Sequence, residues 1–62
     1  MDDKELLEKQ LIKLNKELKM IFDSERQMRA MGNSGMVSRR QQEYRDTEAK
    51  IKVLKKRLDN LN

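Results

Sequence analysis

The chain has no cysteine and no histidine. Without cysteine there is no disulfide framework, no thiolate metal site and no thiol nucleophile. Without histidine the usual general base and the commonest zinc ligand are both missing. Proline and tryptophan are absent, and glycine occurs twice, at Gly32 and Gly35. That scarcity excludes a loop-rich or collagen-like chain. The aromatic residues are one Phe and one Tyr. No apolar run approaches the roughly 18 residues that a membrane span requires. The opening Met1-Asp2-Asp3-Lys4-Glu5 has no basic segment leading into an apolar stretch, so no signal peptide is expected. The expected location is therefore intracellular, with no membrane partner.

What the 62 residues do contain is charge, at 42%, and few apolar side chains, at 35%. A globular domain usually carries about 45–50%, glycine included. A chain of this size buries only about 60% of the surface that its unfolded form exposes. The whole of 1–62 is expected to form one small domain that depends on a partner, or on further copies of itself, for stability. The commonest residues, Lys, Leu, Glu, Gln, Arg and Met, are strong helix formers.

Apolar residues recur at Leu7, Leu11, Leu14, Leu18 and Ile21, in steps of 4, 3, 4 and 3. The next step falls on Glu25, a miss, and the one after on Met28. This is a heptad seam with a mean period of 3.5. Leu6, Ile12 and Phe22 widen the stripe, as on a helix that touches more than one neighbour. Asp2 or Asp3 can cap it, with Glu5 in capping-box spacing from Asp2. The helix is predicted to run from the first residues, Met1 to Asp3, to about Met28. A second stripe, Tyr44, Thr47, Ile51, Leu54, Leu58 and Leu61, predicts a helix over about 46–60.

Residues 29–43 separate the stripes and contain Gly32-Asn33-Ser34-Gly35. Gly32 suits the position just past a helix end, and Asn33-Ser34-Gly35 is turn chemistry. Two readings compete. In one, Ser38 caps the second helix, with Gln41 as its box partner, near residue 39. In the other, Gln27–Met31 and Met36–Gln42 pair as a short β-hairpin and Asp46 caps the second helix. The fold is thus mainly α, two helices in an antiparallel hairpin, and α+β if the β-hairpin forms.

Antiparallel layering pairs residues whose numbers sum to 65 or to 72. The 65 register sets Leu14 against Ile51 and leaves about 22 residues to connect. The 72 register sets Leu14 against Leu58 and leaves 15. Charge divides along the chain: net −1 over 1–28, +2 over 29–43 and +3 over 44–62. Glu8 and Glu17 on the first helix and Lys50, Lys55 and Arg57 on the second offer partner-selecting complementarity.

The candidate packing seam is Leu7, Leu11, Leu14, Leu18, Ile21, Met28, Tyr44, Ile51, Leu54, Leu58 and Leu61. The candidate partner contact lies at the tip: Arg29, Met31, Met36, Arg39 and Arg40. Arginine pairs bidentately with carboxylates, so an acidic protein surface is the expected target. Nucleic acid is disfavoured, because no aromatic interleaves this basic segment. No catalytic constellation is present: Ser24, Ser34 and Ser38 have no base, and the carboxylates are scattered. The glycines lack the strand before and the Gly-Lys-Ser/Thr after that a phosphate loop requires. Neither enzyme activity nor a cofactor or metal is expected.

The stretch Gly35-Met36-Val37-Ser38-Arg39-Arg40-Gln41-Gln42-Glu43-Tyr44-Arg45-Asp46, followed by Ile51-Lys52-Val53-Leu54-Lys55-Lys56-Arg57-Leu58, resembles the small head-to-tail joining proteins of tailed bacteriophages of the lambda W type. The resemblance covers about residues 20–60. It implies an N-terminal helix, a short β-hairpin closed by Tyr44, a cap at Arg45-Asp46 and a final helix with Ile51, Leu54 and Leu58 in its core. It also implies a virion subunit that stacks in several copies on a portal, found in the virion or the host cytoplasm. Two alternatives stand beside it: a cellular coiled-coil adaptor or oligomerisation module, and a small basic nucleic-acid-binding regulator.

Overall fold

The computed structural model describes residues 2–61, and the predicted start of the first helix at Met1 lies outside them. Two helices account for nearly all of the chain: α1 (Asp3–Ala30) and α2 (Ser34–Leu61), each 28 residues long. At about 1.5 Å per residue each spans about 42 Å, which matches a molecule 45 Å long and 15 by 12 Å across.

Asp2 caps α1 in extended conformation, its side chain accepting from the Lys4 amide at 3.3 Å. The bond goes to Lys4 rather than to Glu5, so Asp2 acts as a simple cap. Asp3 and Glu5 in the first turn add favourable charge near the positive end of the helix.

The reversal takes three residues, Met31, Gly32 and Asn33. Met31 remains right-handed, and Gly32 turns to φ +74°, a conformation that a side chain disfavours. The Gly32 amide donates to the Arg29 carbonyl at 3.1 Å and the Asn33 amide to the Met28 carbonyl at 2.9 Å. This pair of bonds is a Schellman ending. Asn33 also starts α2, accepting from the Met36 amide through its Oδ1 at 3.2 Å and from the Val37 amide through its carbonyl at 3.0 Å. One residue thus closes one helix and opens the next.

This turn corrects the expectations for residues 29–43. There is no strand among the described residues: Gln27–Ala30 continue α1 and Met36–Gln42 belong to α2. Ser38 lies in the second turn of α2 instead of capping it, and Asp46 sits mid-helix, accepting from Gln42 at 3.0 Å. The physical reason is twofold. Arg, Gln and Glu pair poorly as strands, and an isolated two-stranded ribbon is marginal in water. Continuing both helices also extends the seam by two more turns, through Val37 and Arg40, which are half-buried.

The short turn selects the 65 register. Arg40 bonds Ser24 and Gln41 bonds Glu25 across the hairpin, residue numbers summing to 64 and 66. Phe22 meets Tyr44 at a ring separation of 6.4 Å, tilted by 52°, again summing to 66. The connection of about 22 residues that this register leaves is filled by the extended ends of the two helices. The core is Ile51 and Leu54, 6% and 8% exposed, with Thr47 at 7%, all on α2. Burying an Ile or Leu side chain is worth about 1.5–3 kcal/mol. On α1 no residue is fully buried.

Candidate packing surface

The heptad spacing brings the predicted seam residues together. Leu7, Leu11, Leu14, Leu18, Ile21 and Met28 are half-buried along α1, as are Tyr44 and Leu58 on α2. Leu61 differs, at 52% exposed. In the 65 register it lies level with Lys4, at the open end of the hairpin.

The predicted tip residues do not form one patch. Arg40 faces inward, its side chain only 25% exposed. Its Nε donates to Ser24 Oγ at 3.0 Å, and a terminal nitrogen donates to Glu43 Oε1 at 2.6 Å. Arg39 stays exposed, because adjacent helical residues point about 100° apart. The Arg39-Arg40 pair is therefore split between solvent and seam. Arg29 is exposed and holds the Glu25 carboxylate four residues earlier. Met31 is 68% exposed at the end of α1, while Met36, in the first turn of α2, is half-buried.

A polar layer thus interrupts the seam between the level of Ile21 and Tyr44 and that of Met28 and Val37, built from Ser24, Glu25, Arg40, Gln41 and Glu43. Glu25 receives bonds from Arg29 and, at 3.5 Å, from Gln41 Nε2. The Arg29 bond and charge, with help from Gln41, hold its carboxyl below the usual value near 4.5, against the opposing pull of partial burial. Among the described residues no buried side-chain nitrogen or oxygen lacks a partner. Sequence reading missed this layer, although its signal was present. Stepping back from Tyr44 by four and then three gives Arg40 and Val37, and Glu25 was the one miss in the first stripe.

Outside the seam several large apolar side chains remain exposed: Leu6 at 46%, Ile12 at 57%, Met20 at 70%, Phe22 at 47% and Val53 at 52%. Among the described residues no group of three or more acidic side chains is gathered as a metal site would require. Among the described residues no helix is long and apolar enough to cross a membrane. Compared with known proteins, the chain matches no family model, no curated protein and no solved structure.

Proposed function

We propose that this protein is a structural assembly module, a helical hairpin that works by packing against other helices. One observation carries the reading. Two 28-residue helices bury only Thr47, Ile51 and Leu54, while seven large apolar side chains stand exposed. A core that thin leaves the hairpin marginal alone, and covering the exposed side chains adds what is missing.

The narrower reading, a subunit of a phage neck, has weaker support. Its β-hairpin would occupy residues that are helical here, whereas its N-terminal helix and its final helix with Ile51, Leu54 and Leu58 agree with α1 and α2. A nucleic-acid role is weakened as well, because Arg40 is engaged inside the hairpin and Arg29 by Glu25. The module reading predicts that the dilute chain has no cooperative melt of its own, and that where the other helices come from further copies the melting temperature rises with protein concentration by mass action. Circular dichroism melts over a hundredfold concentration range test it. A cooperative melt that stays at one temperature throughout would sink it.

A further inference from the structure

The two long faces of the hairpin are unlike. On one, three grooves follow each other from the open end: the first between Leu6, Leu7 and Leu61, the next beside Leu14, Val53 and Leu54, the last beside Glu17 and Lys50. Met20, two heptads beyond Leu6, continues the row. Leu6, Met20, Val53 and Leu61, four of the seven large exposed apolar side chains, therefore share this face. The opposite face carries Ile12 and the Phe22 ring, which already has Tyr44 for a neighbour.

Charge on the grooved face is ordered along its length. In the 65 register, Arg57, Lys13 and Lys50 occupy the half toward the open end, with Asp3 alone beyond them. Glu17, Asp46 and Glu43 occupy the half toward the turn, Glu43 already paired with Arg40, and Arg39, one heptad before Asp46, closes that end. A second hairpin laid on this face in parallel would set Lys13 against Lys50 and Glu17 against Asp46. Laid antiparallel, about a two-fold axis at the level of Ala49, it sets Lys13 near Glu17 and Lys50 near Asp46 of the second copy. Each of these pairs is offset by about two residues, or about 3 Å, along the axis.

We propose that a second copy of this chain covers the grooved face in this antiparallel arrangement, making a four-helix bundle. The proposal rests on the packing role above and adds the identity of the partner and the face. A face of 45 by 15 Å gives each copy roughly 700 Å² to bury, close to the about 800 Å² per partner of a standard interface. The small, exposed Ala49 at the axis lets the two α2 helices approach closely.

Sedimentation of the full chain, with single-residue variants, tests the proposal. The wild type is expected to be a dimer. Val53→Lys should weaken the dimer by about tenfold, and Ile12→Lys, on the opposite face, by less than about twofold. The chain has no cysteine, so Ala49→Cys is a clean probe that should cross-link to itself on oxidation, whereas Ile12→Cys should not. Dimers in which Ile12→Cys cross-links and Ala49→Cys does not would overturn this face and leave the packing role intact. A monomer that melts non-cooperatively would overturn self-association and leave docking on another protein. A monomer with a cooperative melt, unchanged on dilution, would overturn both.

Discussion

Arg40 Nε donates to Ser24 Oγ at 3.0 Å across the hairpin, which makes a charged side chain part of the seam. Glu43 neutralises that charge from the same helix. Such a layer favours the 65 register over the 72 register, because sliding by that heptad sets Arg40 level with Gly32 and takes it away from Ser24.

Arg40→Ala is expected to lower stability by about 1 kcal/mol, since it removes one cross-helix bond from a half-buried layer. Arg40→Leu should raise the melting temperature and loosen the alignment, because an apolar residue fits any register. Thermal melts at fixed concentration provide the comparison. Wild-type behaviour from Arg40→Ala would mean that the layer contributes nothing.

Leu54→Ala is expected to cost about 2–4 kcal/mol, as truncation of a buried leucine does. Leu14→Ala, at a half-exposed position opposite Ile51, should cost less, about 1–2 kcal/mol. Lys56→Ala, on the outer face, should stay under about 0.5 kcal/mol. Chemical denaturation of the three variants ranks them, and equal losses for Leu54→Ala and Lys56→Ala would overturn the seam assignment.

Gly32→Ala should destabilise by about 1–2 kcal/mol, because the residue must hold φ +74° even though nothing crowds an added Cβ. Gly32→Asn should lose less, since Asn tolerates this conformation better. Asn33→Ala removes the cap of α2 and should cost about 0.5–2 kcal/mol. Melts of the three variants check the turn. No loss from Gly32→Ala would mean that the reversal forms some other way.

Glu25 supplies a pH dependence with a defined sign. Its carboxyl is held below the ordinary value near 4.5, chiefly by the bond from Arg29. Such a group contributes stability that is fully present above its ordinary value and is lost as pH falls through the depressed one. Glu25→Gln should therefore flatten the fall in melting temperature between about pH 5 and about pH 3. Parallel melts of wild type and variant across that interval read the difference, and identical slopes would remove Glu25 as a contributor.

The 3–4 spacing of Leu7 to Ile21 and of Thr47 to Leu61 made two amphipathic helices, and nearly every seam residue, legible from composition and order alone. Gly32 was legible too, as the residue able to end α1 in a left-handed turn. Periodicity has no preference between two alignments one heptad apart, since both bury leucine against leucine. That choice belongs to the tertiary structure. With only three residues between the helices, the turn places its centre between Gly32 and Asn33 and brings residues numbered around a sum of 65 to the same level. The same constraint turned Arg40 from an apparent surface charge into a seam residue. A side chain's surroundings depend on which residue of the other helix lies opposite, and that is decided only when the chain has folded back.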